Sequence, residues 1–247
     1  MSIESPADWE GLREAGRVVR LTLDAMERHV GPGVTTAELD DEARGVVAAH
    51  GARSAPALVY GFPGTALISL NDEVVHGVPG PRRIRRGDLV KLDVTVEKDG
   101  YIADAARTVV VEPASRAARR LAECAQAAFH AAVAIARAGT RVNEIGRAVQ
   151  GEVRRRGFAV VRGLTGHGVG RTIHESPTVP NEFDPALSAV LTEGLVLTIE
   201  PMISAGSPVP RNGSDGWTIR TRDGSWSAHH EHTIVITRDA PAILTAA

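Results

Sequence analysis

A weak internal repeat relates the two halves of this 247-residue chain. Residues 33–51 recur in the second half at an offset of 106 residues, and the strand that follows recurs at an offset of 107 residues. Two halves with the same order of elements suggest a pseudo-twofold structure. We therefore expect one domain, residues 1–247, with halves of about 8–112 and 113–240. The matching positions are Gly33 with Gly139, Glu38 with Glu144, Leu39 with Ile145, Gly51 with Gly157, Gly87 with Gly194, and Asp93 with Glu200.

Each half is predicted to begin with two helices. Apolar residues spaced by about one turn predict a helix over residues 8–30, and a possible capping box at Thr35 and Glu38 begins a second helix that ends at Gly51. The second half should carry the equivalent helices over about 113–138 and 143–156. Helices on one side of a mostly antiparallel sheet make the expected fold class α+β.

The strands of the first half form a predicted hairpin that carries two carboxylates. Runs 89–97 and 101–111 flank an Asp-Gly turn, which is a strong hairpin signal. If Lys98 pairs with Tyr101, Asp93 and Asp104 become diagonal neighbours on one face of the sheet. Either residue alone is more often a solvated surface aspartate. The apolar run on the other face nevertheless indicates a buried sheet, where an unpaired carboxylate is costly.

His167 and Glu200 are candidate ligands in the second half. His167 lies in the segment Gly166–Gly170, which is too rich in glycine for a helix and lets the backbone approach a ligand closely. A lone histidine is more often structural than ligating. Glu200 follows the strand-like run 195–199, and Pro201 ends that strand.

The fifth candidate, Glu231, lies in a cluster of three histidines. Because side chains alternate along a strand, Glu231 shares a face with His229, whereas His230 and His232 point the other way. The sequence contains no HExxH helix, which excludes a zincin-type site. Four carboxylates and one imidazole suit a pair of divalent first-row cations, which indicates metal-assisted hydrolysis.

Composition excludes several other classes of protein. The net charge is −2 without a basic tail, so neither nucleic acid nor a membrane surface is indicated as a partner. No apolar run reaches the roughly 18 residues of a membrane span, and no signal peptide is recognisable. The single cysteine, Cys124, permits no intramolecular disulfide and fits a reducing cytoplasm. We expect a cytoplasmic protein.

Nearly the whole chain, from about residue 12 to 237, resembles the type I methionine aminopeptidases in their short bacterial form. The order and spacing of several motifs carry the resemblance, which is more specific than any single short motif. They are Asn71-Asp72-Glu73-Val74-Val75-His76-Gly77, Leu92-Asp93-Val94-Thr95, Ala103-Asp104, Gly166-His167-Gly168-Val169-Gly170, Ile173-His174-Glu175, Thr198-Ile199-Glu200-Pro201-Met202 and Glu231-His232-Thr233-Ile234.

The resemblance implies a pita-bread fold and release of the initiator methionine from peptides and nascent proteins, with a small second residue preferred. It implies two divalent ions, such as cobalt, manganese or iron, and substrates met near the ribosome by a monomeric enzyme. The implied ligands are Asp93, Asp104, His167, Glu200 and Glu231, with Glu200 also moving a proton. The resemblance also implies that His76 and His174 act in catalysis and contact the substrate. The implied methionine pocket is formed by Val59, Phe62, Leu67, Ile173 and Trp217.

The chain departs from the family pattern around the pocket. Val59 replaces an aromatic residue, Phe62 a tyrosine, Leu67 a cysteine or threonine, and His229 a glutamine. Hydrolysis is therefore better supported than strict preference for methionine. Two alternatives remain open. One is another exopeptidase of this fold, such as a prolidase, although those usually carry an additional N-terminal domain; the other is a binding protein that does not hydrolyse peptides.

Overall fold

The computed structural model describes residues 1–246 and contains five helices and fifteen strands within them. The helices are α1 (Pro6–His29), α2 (Thr36–Ala49), α3 (Ala55–Tyr60), α4 (Arg116–Val133) and α5 (Val142–Arg155). The strands are β1 (Arg53–Ser54), β2 (Leu67–Leu70), β3 (Glu73–Val75), β4 (Leu89–Lys98), β5 (Tyr101–Val110), β6 (Ala159–Val160), β7 (Gly166–Gly168), β8 (Glu175–Val179), β9 (Val196–Ile199), β10 (Met202–Ser204), β11 (Pro210–Asn212), β12 (Ile219–Thr221), β13 (Ser227–His229), β14 (Glu231–Val235) and β15 (Ala242–Ile243).

The four long helices confirm the predicted helix pairs with small shifts at their ends. The capping box is present at the start of α2, where Thr35 and Glu38 bond each other's backbone N–H groups. Helix α4 begins at residue 116 rather than 113, because the Ser115 side chain accepts a hydrogen bond from the backbone N–H of Ala118 and thereby caps the helix. None of the helices in the described residues is long and apolar enough to cross a membrane.

The main sheet joins the two halves through a single pair of strands. Its order is β1-β4-β5-β14-β9-β7-β8, with β2 also paired to β4 and β15 to β14, and every pairing is antiparallel. Strand β5 of the first half meets β14 of the second, where Glu231 lies opposite Ala106 and His232 opposite Ala105. The expected α+β class is therefore confirmed.

The four long helices cover one face of this sheet and leave the other face for the site. Val19 and Leu23 of α1 pack with Leu92 and Val94 of β4 in one buried apolar cluster. A second cluster joins α4 and α5 to β9 and β14 in the same way. Because side chains alternate, Asp93 of β4 points away from the helices. The carboxylates of both halves consequently face a common space.

The segment 204–215 is rich in glycine, serine and proline, as loops are, but it contains a short strand. Strand β11 lies within this segment and pairs with β12, which in turn pairs with β3. This three-stranded sheet positions two residues of the site, since His76 follows β3 and Trp217 precedes β12. Short polar strands of this kind lack the apolar alternation that predicts longer ones.

Candidate metal centre and active-site cavity

A cavity of about 520 Å³ opens on the face of the main sheet opposite the four long helices. A volume of this size suits a small ligand or the end of a peptide. All the predicted site residues except Val59 line it: Phe62, Leu67, His76, Asp93, Asp104, His167, Ile173, His174, Glu200, Trp217 and Glu231.

The first two carboxylates lie where the hairpin register predicts. Asp93 pairs with Ala106, and Thr95 with Asp104, so both aspartates project from the same face of β4 and β5. Asp104 is only 6% exposed. The hydroxyl of Thr95 hydrogen-bonds its carboxylate, and Thr95 is a supporting residue that the sequence did not identify.

The Gly-rich segment at β7 holds His167 close to its neighbours. A Cβ at position 166 would lie 2.5 Å from the carbonyl oxygen of Thr198, and one at position 168 would lie 2.3 Å from that of Ser176, so only glycine fits. The Nδ1 atom of His167 is 2.9 Å from the carbonyl oxygen of Gly168, to which it can donate. That bond leaves the Nε2 lone pair free toward the cavity, the usual arrangement of a metal-ligating histidine.

Glu200 and Glu231 complete the acidic floor of the cavity. The Thr198 hydroxyl donates to Glu200 Oε1 at 2.9 Å and accepts from the His167 backbone N–H at 3.1 Å, which couples two of the predicted ligands. The Asn181 side chain donates to the carbonyl oxygen of Glu200 at 2.9 Å, a contact that no sequence motif indicated. Glu231 is 2% exposed.

Two sets of three side chains can each hold one cation. One set is Asp104, His167 and Glu231, and the other is Asp93, His229 and Glu231; in each set the ligand atoms lie within 4.8 Å of one another. Glu231 belongs to both sets and can therefore bridge two ions. Glu200 adjoins the first set, since its Oε1 is 3.3 Å from His167 Nε2.

The electrostatics of the site fit two divalent cations. Oxygen atoms of Asp93, Asp104 and Glu231 are buried without a hydrogen-bond partner in the described residues, which is costly unless something else pairs with them. Burial, followed by mutual repulsion, raises the pKa of Asp93, Glu200 and Glu231 well above the ordinary value, and burial raises that of Asp104 to about 7. Two divalent ions would balance four carboxylate charges.

Burial also keeps the imidazole of His167 neutral. Desolvation, and then the neighbouring His174, lower the pKa of His167 to about 4. A neutral ring at physiological pH offers a lone pair for coordination.

Two further histidines face the cavity without joining the cation sets. His76 has a left-handed backbone with φ of 59°, and Gly77 follows it against strand β2, where a Cβ would lie 2.2 Å from the Ile68 carbonyl oxygen. Left-handed residues other than glycine concentrate at functional sites. The ring of His174 lies 4.3 Å from that of His167, centroid to centroid.

Short helix α3, which the sequence analysis missed, revises one pocket prediction. Val59 is 53% exposed and does not line the cavity, whereas Pro56 and Tyr60, one turn apart on the same helix, do. The Tyr60 hydroxyl lies 2.6 Å from Nδ1 of His174. The structure therefore gives no support for Val59 as a pocket residue, and a six-residue helix is too short to reveal its inward face by periodicity.

Comparison with known proteins places the chain in a family. The model of metallopeptidase family M24 matches residues 10–238. The chain is 42% identical over 247 residues to methionine aminopeptidase 2 of Bacillus subtilis, with 99% of both proteins covered. The crystal structure of methionine aminopeptidase from Rickettsia prowazekii superposes with a TM-score of 0.95 at 37% identity and covers all of both chains.

A prolidase shares the fold alone. The prolidase from Pyrococcus furiosus gives a TM-score of 0.80 at 24% identity, and the match covers 99% of this chain but 65% of the prolidase. The pita-bread fold is therefore confirmed, and the similarity to methionine aminopeptidases is both higher and complete in length. The chain belongs to metallopeptidase family M24 and, within it, to the methionine aminopeptidases.

Proposed function

We propose that this protein releases the N-terminal methionine from peptides and nascent proteins by hydrolysis that depends on two divalent cations. One observation carries the proposal: four carboxylates, three of them buried and Asp93 partly buried, converge with an imidazole at the floor of an open cavity, and oxygen atoms of three of them have no hydrogen-bond partner among the described residues. The ligands are Asp93, Asp104, His167, Glu200 and Glu231. Asp93 would help to hold one ion and His167 with Glu200 the other, while Asp104 and Glu231 would contribute carboxylate oxygens between them.

Glu200 transfers the proton of the attacking water during hydrolysis. When bound, the cations supply hydroxide near neutral pH and polarise the carbonyl of the scissile amide. The carboxylate of Glu200 accepts the proton of the attacking water and returns it to the leaving amine. The hydrogen bond from Thr198 to Glu200 Oε1 fixes this carboxylate and leaves Oε2 free to carry the proton.

His174 stabilises the oxygen that becomes negatively charged. Partial burial raises the pKa of Tyr60, so its hydroxyl stays protonated and can donate to Nδ1 of His174. The ring then carries its own proton on Nε2, where it can donate to the carbonyl oxygen. His76 faces the same cavity and contacts the scissile amide.

The apolar wall of the cavity receives the methionine side chain. The rings of Phe62 and Trp217 meet edge to face, 5.2 Å between centroids, and Leu67 and Ile173 are 7% and 4% exposed. A thioether packs well against aromatic and aliphatic groups. The N-terminal amine of the substrate is expected beside the cations, which restricts cleavage to chain ends. We place the activity in the cytoplasm, near the ribosome, and in a monomer.

A peptide panel tests the specificity. With Xaa-Gly-Met peptides and Mn²⁺, Fe²⁺ or Co²⁺, we expect methionine to be released fastest, norleucine to be accepted, and lysine, aspartate and proline to be rejected. Discrimination against leucine should be modest, about 10–200-fold, since one methylene in an apolar pocket is worth only about 1–3 kcal/mol. The measurement is kcat/KM for each peptide.

The panel separates the specificity from the chemistry. Faster release of leucine or alanine than of methionine would refute the methionine preference but not the hydrolase activity. Preferential cleavage of Xaa-Pro peptides would favour a prolidase-like activity. No turnover with any of the three metals would favour the non-catalytic alternative. Peptides that vary the second residue should favour glycine, alanine and serine.

Metal removal should destabilise the fold more at pH 8 than at pH 5. In the metal-free protein the carboxylate pKa values are higher in the folded state than in the unfolded state, where they are about 4. The contribution of these groups to the free energy of unfolding is therefore fully present below pH of about 4. It is lost as pH rises through the folded-state pKa, which is about 7 for Asp104. Bound cations offset the repulsion. We therefore expect the difference in Tm between metal-loaded and chelated protein to grow from pH 5 to pH 8, and an equal difference at both would contradict it.

A further inference from the structure

His229 is a buried imidazole that no protein group satisfies. It ends strand β13, is 1% exposed, and has no hydrogen-bond partner for Nδ1 or Nε2 within residues 1–246. Its backbone is firmly held, because its N–H donates to Thr108 Oγ1 at 2.9 Å and its carbonyl oxygen accepts from the same hydroxyl at 2.8 Å. A buried donor or acceptor left unpaired costs about 1–3 kcal/mol, so a structural role alone explains this ring poorly.

The distance from His229 Nε2 to the nearest carboxylate oxygen is the distance expected between two ligands of one cation. Its Nε2 is 3.4 Å from Glu231 Oε2 and 3.9 Å from Glu200 Oε2. These lengths exceed a hydrogen bond. Ligand atoms that each lie about 2.0–2.2 Å from one cation are separated by about 3–3.5 Å, the range of the shorter distance.

The proposed ligand His167 shows the same relation on the other side of the site. Its Nε2 is 3.3 Å from Glu200 Oε1, close to the 3.4 Å between His229 Nε2 and Glu231 Oε2. Each histidine also belongs to one of the two cation sets, which share Glu231. The two cation sets therefore form similar half-sites, each with one imidazole, although His167 lines the cavity and His229 lies buried behind it.

We infer that His229 is a sixth protein ligand and coordinates, through Nε2, the cation held by Asp93. This inference rests on the proposed two-metal function. The Asp93 half-site then has mixed nitrogen and oxygen ligands instead of oxygen alone. Imidazole suits iron, cobalt, nickel and zinc better than magnesium or calcium. His229 thus favours later transition metals at the position where carboxylates alone would favour harder cations.

The number of coordinated imidazoles in the cobalt-loaded enzyme tests the inference. Proton NMR of protein with two bound Co²⁺ ions should show two strongly shifted imidazole N–H signals. One should disappear in His229→Gln and the other in His167→Gln. Calorimetric titration of His229→Gln with Co²⁺ should show one site weakened by about tenfold or more, since even outer-sphere partners of a metal ligand are worth 10–100-fold in affinity.

His230→Gln provides a matched control. This neighbouring imidazole points to the other face, where its ring centroid lies 5.2 Å from that of Phe129. The control should keep both signals and both affinities. If His229→Gln does not fold, His167→Gln still tests the inference. An imidazole signal that remains in His167→Gln must come from His229.

The possible failures are distinguishable. Two bound Co²⁺ ions with a single imidazole signal, lost in His167→Gln, would overturn the inference and leave the proposed function intact. Unchanged cobalt affinity and two signals in folded His229→Gln would overturn it as well. Failure of the unaltered enzyme to bind two Co²⁺ ions would instead refute the two-metal function on which the inference rests.

Discussion

Replacement of His167 by alanine should remove one of the two metal ions and lower kcat/KM by at least about 10²-fold. The imidazole is expected to supply the one nitrogen ligand of its ion, and Glu200, 3.3 Å away, loses its neighbour as well. Lewis-acid catalysis is worth several kcal/mol, and each 1.4 kcal/mol corresponds to a factor of ten. Metal content after exhaustive dialysis and kcat/KM for a Met-Gly peptide are the measurements.

His232→Ala is the control for this experiment. His232 lies on the other face of β14, where Nδ1 is 2.8 Å from Thr245 Oγ1. This variant should retain two metals, so a loss in both variants would indicate general damage to the strand. A folded His167→Ala enzyme with two tightly bound metals and full activity would refute the assignment of this ligand.

Replacement of His174 by alanine should lower kcat by roughly 10²–10³ while both metals remain bound. The ring lies beside the ligand His167 but is absent from both cation sets. Loss of one donor to a developing oxyanion typically has this cost. The effect should fall on kcat more than on KM, because the interaction strengthens in the transition state.

Tyr60→Phe separates positioning from chemistry in the same experiment. It removes the hydroxyl 2.6 Å from His174 Nδ1 but keeps the ring, so its kcat should lie between those of His174→Ala and the unaltered enzyme, with an altered pH profile. Loss of a metal from His174→Ala would show that His174 is a ligand rather than an oxyanion donor.

The sequence predicted the long, regular elements because their signals are local. The Asp-Gly turn set the hairpin register, and the structure confirms the expected pairing of Lys98 with Tyr101. The repeat placed Asp93 and Glu200 at equivalent strands, and both line one cavity. The capping box at Thr35 was equally local and is present.

The remaining features depend on tertiary contacts that no local pattern encodes. Helix α3 has six residues, so its sequence could not show that Tyr60 lines the cavity while Val59 does not. The hydrogen bond from Asn181 to the Glu200 carbonyl joins residues 19 positions apart without a motif. The unsatisfied ring of His229 became apparent only when its burial and neighbours were known.

The narrow junction between β5 and β14 has a consequence for the order of folding. Only two residue pairs join the halves there, and one of them includes Glu231, which belongs to both cation sets. Neither half alone presents a complete set of ligands, because each set combines an aspartate of the first half with a histidine and Glu231 of the second. Contacts that form after the transition state slow unfolding without accelerating folding. We therefore expect the metals to slow unfolding more than they accelerate folding, which lengthens the lifetime of the folded enzyme.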